Sequence, residues 1–246
     1  MYSFTKSILE QLGLKKIVVS ILEMIRRVSS RVCRVLTRTD QKLFDQHRQQ
    51  TGPKRLHLGC GTHRLAGWLN TDYYPRTFEV MHLNAVTRYP FPDDVFDVAF
   101  SEHMIEHVPY SAGASMISEC YRVLKPGGRI RLATPDLAFL LDLFRDQPSR
   151  LQQDYLDWST QHFIPWAPGV APGYVVNNFV RDWGHQFIYD ESTLRTSLER
   201  AGFVQVARVE LNSSVEVSLQ NLEFEKRMPP GFLRLESLIL EAVKPG

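Results

Sequence analysis

The sequence predicts an α/β protein, a parallel β-sheet with helices on both faces, preceded by a basic helical extension. Three observations point there. From residue 54 onward, short apolar runs of strand length alternate with helix-length segments. The first of those runs ends in Gly59-Cys60-Gly61, where missing side chains let a ligand approach the backbone. The first 50 residues hold ten Lys/Arg against four Asp/Glu, whereas the whole chain is only +2.

The extension, residues 1–50, reads as helix. Leu14, Val18, Ile21, Ile25, Val28, Val32 and Val35 recur in alternating steps of four and three, making one apolar seam. Lys15, Lys16, Arg26, Arg27, Arg31, Arg34 and Arg38 stand on or beside the polar face. Helix 14–35 is therefore expected to pack on its own body, to self-associate, or to lie peripherally on an anionic membrane. No cleavage site follows the apolar stretch from Ile17 to Leu22, so no signal peptide is expected. The longest run without Asp, Glu, Lys or Arg, from Trp158 to Val180, contains Pro165, Pro168 and Pro172, so no spanning helix is expected either. Cys33, Cys60 and Cys120 are too few and too scattered for a disulfide framework or a zinc site. A reducing, cytoplasmic setting and no bound metal are the expectations.

The body, residues 51–246, begins with a strand at Arg55–Leu58, and a second spans Trp68–Asp72. Pro90 and Pro92 set off a buried strand at Val95–Phe100. A helix over Ala112–Leu124 is stopped by Lys125-Pro126-Gly127-Gly128, and a strand at Arg129–Thr134 follows. A helix at Glu191–Arg200 ends at Gly202, and strands are expected at Val204–Leu211 and Ser237–Val243. Residues 137–189 break this rhythm with a long stretch rich in aromatic residues, proline and glycine. Ligands of open α/β sheets bind outside the carboxyl ends of the strands, so this insertion is read as the wall of an acceptor site. The body is mildly acidic and has no broad basic footprint, so no nucleic-acid partner is expected.

A glycine loop after the first strand suits either dinucleotide enzymes or S-adenosylmethionine enzymes. The dinucleotide fingerprint needs a third glycine where Arg64 stands, and an acid farther along than Asp72. The oxidoreductase reading fails on both counts.

Five segments occur in order: His57-Leu58-Gly59-Cys60-Gly61, Gly67-Trp68-Leu69-Asn70-Thr71-Asp72, Tyr89-Pro90-Phe91-Pro92-Asp93, Phe96-Asp97-Val98-Ala99-Phe100-Ser101-Glu102-His103 and Arg122-Val123-Leu124-Lys125-Pro126-Gly127-Gly128. Together they resemble the class I S-adenosylmethionine-dependent methyltransferases of the type 11 group, in detail from about residue 54 to 136. The resemblance implies a Rossmann-like sheet, mostly parallel with an antiparallel last strand, and S-adenosyl-L-methionine as methyl donor. It implies that Gly59, Cys60 and Gly61 cradle the methionine end and that Asp72 binds the ribose. Asn84 would address the adenine, while Ser101 and Glu102 line the donor near its methyl group. The acid frequent just before the glycine loop is absent, and His57 and Leu58 stand there.

The implied reaction is methylation of a small-molecule acceptor, with an oxygen of a sugar or cell-surface glycan precursor as the leading expectation. That expectation rests on family association, because relatives with Gly-Cys-Gly followed by Gly-Trp-x-Asn-x-Asp often serve such pathways. The alternative is a non-catalytic S-adenosylmethionine-binding or scaffolding subunit of the same fold. Methyl transfer is an in-line displacement, and positioning can supply about 7–11 kcal/mol of barrier reduction. A general base adds a factor of roughly 10²–10⁴. His103, His107 and His185 are the candidate catalytic residues, the first two because they follow a strand end. The Asp/Asn-Pro-Pro-aromatic run usual in amide and adenine-amino methylation is replaced here by Ser101-Glu102-His103-Met104.

Overall fold

A computed structural model describes residues 15–246. The first position of the apolar seam, Leu14, and the rest of the first 14 residues lie outside the described residues. The extension is two helices, α1 (Lys15–Thr37) and α2 (Thr39–Gln49), broken at Arg38, which takes a left-handed backbone with φ 54°.

The two helices meet the body differently. Phe44 of α2 is buried, its ring 4.8 Å from that of Phe91 and 6.4 Å from that of Phe96. His47 Nε2 accepts a hydrogen bond of 3.1 Å from the Arg55 backbone N–H. That acceptor role needs a neutral ring, and burial, reinforced by the Lys54 and Arg55 charges, lowers the His47 pKa to about 4. Helix α1 is reversed from the packing its seam suggests. Ile21, Ile25, Val28, Val32 and Val35 are exposed, and the helix touches the body through arginines. Arg27 lies 4.0 Å from the centre of the Tyr74 ring, and buried Arg34 binds Asp40 and the Thr77 carbonyl, each at 2.6 Å.

The body is a seven-stranded sheet: β1 (Arg55–Leu58), β2 (Leu69–Asp72), β3 (Met81–His82), β4 (Phe96–Glu102), β5 (Leu124–Pro135), β6 (Val204–Arg208) and β7 (Ser237–Val243). Their order is β3-β2-β1-β4-β5-β7-β6, with β7 antiparallel to both neighbours. The expected architecture is therefore present. β5 starts earlier than expected, because Leu124 pairs with Phe96 before an irregularity and the Lys125–Gly128 turn is carried within the strand.

Helix α3 (Tyr110–Val123) covers the sheet through Met116, Ile117, Cys120 and Val123, one stripe at helical spacing, all fully buried. On another face, Trp68, Val98, Phe100, Leu219 and Leu222 form a separate apolar cluster. His57 sits at that face as a knot between strands. Its Nδ1–H donates to Asn70 Oδ1 at 3.0 Å, and Asn70 in turn donates to the carbonyls of Leu65 and Trp68. Burial lowers the His57 pKa to about 4, so the ring is neutral and structural.

The insertion leaves and re-enters the sheet at one place, since Asp136 bridges Tyr189 and Leu137 N–H donates to the Tyr189 carbonyl at 2.9 Å. It holds α4 (Leu137–Asp142), α5 (Arg150–Phe163) and α6 (Pro172–Arg181). α5 starts in a Ser149/Gln152 capping box, and α6 starts on Pro172. Phe139, Leu140, Leu143, Tyr155, Leu156, Ile164, Val175 and Phe179 make a core of their own, closed by Phe232 of α8 (Phe232–Glu236). After the insertion, α7 (Glu191–Arg200) is capped by Asp190, whose carboxylate accepts from Thr193 N–H at 2.7 Å.

Candidate functional site

Two concavities open at the carboxyl ends of the parallel strands. The first, about 490 Å³, lies at β1 and β2 and is lined by Gly61, Asp72, Tyr74, Arg76 and three residues of α1, Glu23, Arg26 and Arg27. Gly59 and Gly61 both have positive φ, 65° and 53°. A Cβ on Gly59 would lie 2.4 Å from Met104 Cγ, whereas one on Gly61 would meet nothing within 4 Å. The first glycine is thus required by the protein's own packing, and the second borders open space.

Asp72 holds this rim together. Its carboxylate oxygens accept from Gly61 N–H at 2.9 Å and from Tyr74 N–H at 2.7 Å. Cys60 is buried and its backbone N–H donates to the Thr71 carbonyl, while burial and then the Asp72 charge push its thiol up to about 12. That thiol is not a nucleophile.

The other expected donor-site residues are placed less uniformly. Asn84 directly follows Leu83, whose N–H donates to the Asp72 carbonyl, but its own side-chain oxygen accepts from Val86 N–H in a local turn. Ser101 is buried at the end of β4, and its hydroxyl has no partner. Glu102 is also buried, and its carboxylate accepts from Phe224 N–H at 3.1 Å with Arg227 3.5 Å away. The segment between β6 and β7 thus lies against Glu102. Phe224 also stacks on His63, with ring centres 4.9 Å apart.

The second concavity, about 280 Å³, lies between the insertion and the ends of β4 and β5. Its insertion side is aromatic: Tyr155, Trp158, Phe163, Phe179 and Trp183. It also brings together all three expected histidines, His103 and His107 from the turn after β4 and His185 from the returning arm of the insertion, with Glu106, Arg227 and Glu236. His103 has φ 46°, a strained backbone for a non-glycine residue, and its Nε2 lies 3.3 Å from Ser237 Oγ. The rings of His107 and His185 stand 4.9 Å apart. Burial lowers the pKa of each of the three below the usual histidine range, and for His103 the Arg227 charge adds to it.

Glu106 is fully buried, and burial pushes its carboxyl up to about 8. It receives Thr134 Oγ1 at 3.2 Å. Glu236 rises to about 7 for the same reason and accepts from the Tyr155 hydroxyl at 2.6 Å. Sequence reasoning passed over Glu106, Glu236 and Arg227 as site residues. Glu106 lies beside His107 in a run already singled out, but nothing in local spacing marks Glu236 or Arg227.

The methyltransferase domain family of type 11 matches residues 56–132, the stretch from β1 into β5. A protein of Mycolicibacterium smegmatis named as a probable S-adenosylmethionine-dependent methyltransferase is 40% identical over 63 residues. That match covers 26% of this chain and 23% of the relative, so the chain spans about a quarter of the relative's length. Among solved structures, an Archaeoglobus fulgidus SAM-dependent methyltransferase is 17% identical with a TM-score of 0.48, covering 83% of this chain and 92% of that one. A Haemonchus contortus phosphoethanolamine N-methyltransferase, solved with S-adenosyl-L-methionine, is 13% identical with a TM-score of 0.43, covering 85% and 53%. Over residues 56–132 the chain is thus similar to the methyltransferase domains of that family.

Proposed function

We propose that this protein transfers a methyl group from S-adenosyl-L-methionine to an oxygen of a small acceptor, a sugar or a cell-surface glycan precursor. The observation that carries the reading is the pairing of two concavities at one sheet edge, a glycine-and-aspartate cleft beside an aromatic pocket with histidines. The 490 Å³ cleft falls within the usual range of about 300–1,000 Å³ for a small-molecule site. Gly61 leaves room for the methionine end, and each Asp72 oxygen keeps a lone pair beyond its backbone bond for a ribose hydroxyl. In this reading Ser101 and Glu102, at the end of β4, would lie under the donor, Cys60 would contribute backbone rather than thiol, and Asn84 would serve the adenine end. Bound there, S-adenosyl-L-methionine supplies an electrophilic methyl group on a sulfonium sulfur.

The chain's own contribution is alignment and proton removal. The aromatic wall of the 137–189 insertion holds the acceptor and excludes water. His103 lines the second concavity, and its neighbour Met104 packs against Gly59 of the glycine loop. Neutral at physiological pH, the His103 imidazole would take the acceptor's hydroxyl proton. His107 and His185 complete that wall. The scaffolding alternative lacks support, because a pocket-bearing insertion serves no purpose in a subunit without an acceptor.

Calorimetric titration with S-adenosylhomocysteine, with NAD as control, tests the donor site. The protein should bind the former alone, and Asp72→Ala should weaken that binding about 10–100-fold, the worth of a lost charged hydrogen bond. Unchanged affinity in the variant would overturn the assignment. Release of S-adenosylhomocysteine in the presence of sugar nucleotides or glycolipid precursors then tests the acceptor class.

The location proposed for this activity is the face of an anionic membrane. None of the described helices is long and apolar enough to cross one. The exposed seam of α1 is flanked by exposed Arg26, Arg31 and Arg38, while Arg27 and Arg34 turn to the body. Vesicles containing phosphatidylglycerol should co-sediment the protein and neutral vesicles should not. An R31E/R38E double variant should lose at least tenfold in binding, at about 1 kcal/mol per basic residue near such a surface. A salt-insensitive dimer with no vesicle binding would assign the seam to a second copy instead.

A further inference from the structure

We infer that Glu106, His107 and His185 form a site for a divalent first-row transition ion, zinc or manganese, in the wall of the aromatic pocket. One ligand atom from each lies within 4.8 Å of the other two. Glu106 Oε1 is 3.9 Å from His107 Nε2. Metal bonds of about 2.0–2.2 Å hold neighbouring ligand atoms roughly 3–3.5 Å apart, so binding needs only a small inward rotation of the side chains.

Two independent features single out this trio from a chance cluster. Glu106 is fully buried, yet its Oε1 makes no hydrogen bond, with His103 Nδ1 3.4 Å away, although Oε2 has one. Buried carboxylate oxygens are seldom left without a partner, and a cation would supply it. The histidines are also pre-set as ligands. His185 Nδ1–H donates to the Phe179 carbonyl at 2.6 Å, which leaves Nε2 with its lone pair free. His107 has its Nδ1 edge beside Gly184 and its Nε2 towards Glu106. Pinning the second ring nitrogen on a carbonyl is how metal-binding histidines are oriented.

The fold itself brings the three together. Gln186 and Phe187 N–H both donate to the Glu106 carbonyl, and Gln186 Nε2 donates to the His107 carbonyl at 2.8 Å. The returning arm of the insertion is thus stitched to the turn after β4, with His185 at the seam. Two imidazoles and one carboxylate suit zinc or manganese better than magnesium, which prefers oxygen ligands. Three protein ligands leave coordination positions facing the pocket. This deepens the acceptor reading, on which the site's role rests: an oxygen-bearing acceptor would fill an open position and be fixed before transfer.

The test uses the full chain, stripped with a chelator and titrated calorimetrically with Zn²⁺ or Mn²⁺ alone, and separately with S-adenosylhomocysteine. Wild type should bind one ion per chain, Mg²⁺ more weakly. His185→Ala and the near-isosteric Glu106→Gln should each lose more than tenfold in zinc affinity while keeping wild-type S-adenosylhomocysteine affinity, which also reports that they fold. His162→Ala, on the exposed surface of α5, should bind zinc normally. Absence of saturable binding, or variants that bind zinc as wild type does, would overturn the site. Zinc binding without S-adenosylhomocysteine binding would overturn the methyltransferase reading and leave the metal site standing.

Discussion

Gly59→Ala should destabilise the protein by about 2–5 kcal/mol and weaken S-adenosylhomocysteine binding at least tenfold. Two costs add at this position. A non-glycine residue at φ 65° pays about 1–2 kcal/mol for the left-handed backbone. The new methyl group would also lie 2.4 Å from Met104 Cγ and 2.9 Å from its Cβ, an overpacking of about 1–3 kcal/mol. The Met104 Cβ is fixed to the backbone just after β4 and cannot swing away. Relief must therefore come from moving the glycine loop, which shifts Gly61 and its bond to Asp72. Chemical denaturation and calorimetry measure the two effects. The double variant G59A/M104A removes the Cγ contact but keeps the Cβ contact and the backbone strain, so it should recover only part of the loss. Full recovery in the double variant would show that φ carries none of the cost, and wild-type behaviour of the single variant would remove Gly59 from the site's architecture.

Arg131→Met should cost about 3–5 kcal/mol, measured by denaturant unfolding. Arg131 lies in the middle of β5 with a fully buried side chain, 2.6 Å from Glu223 and 2.6 Å from Glu241. Its guanidinium also donates to the carbonyls of Ser213 and Glu210. Although burial alone would lower its pKa, the two carboxylates more than reverse that and hold it above the usual value. Removing the cation leaves two carboxylates without their counter-charge, and that residue of unpaired charge, more than the lost bonds, sets the size of the effect. The damage should spread in a definite direction. Glu223 adjoins Phe224, which donates to Glu102 and stacks on His63, so the segment between β6 and β7 should lose hydrogen-exchange protection first. R131M/E223Q/E241Q, which removes all three charges, should recover much of the loss. A triple variant no more stable than the single one would assign the cost to packing.

The parallel core was readable in the sequence because its cues are local. Val95–Phe100 is a run of strand length between proline and helix signals, and Met116, Ile117, Cys120 and Val123 repeat at helical spacing. That a glycine loop follows β1 and an acid ends β2 was readable for the same reason, since both features lie close along the chain. Asn84 and Glu102 were less so, because hydrogen bonds to Val86 and Phe224 decide where those side chains turn. The extension shows the limit of periodicity. It marks an amphipathic helix correctly, yet which face meets the body depends on Tyr74, Thr77 and Asp40, which pair with arginines rather than with the seam.

What the sequence by itself determined is the alternation of strand and helix, the glycine loop, the acid at the end of β2 and an amphipathic leader, each a matter of near neighbours along the chain. Only the tertiary structure decided that His103, His107 and His185 share one pocket with Glu106, Arg227 and Glu236. Their meeting requires an insertion that returns to its starting point through the Asp136–Tyr189 bridge and the hydrogen bonds of Gln186 and Phe187 to Glu106. Contacts of that kind depend on chain closure over long separations, which no local period of apolar residues records.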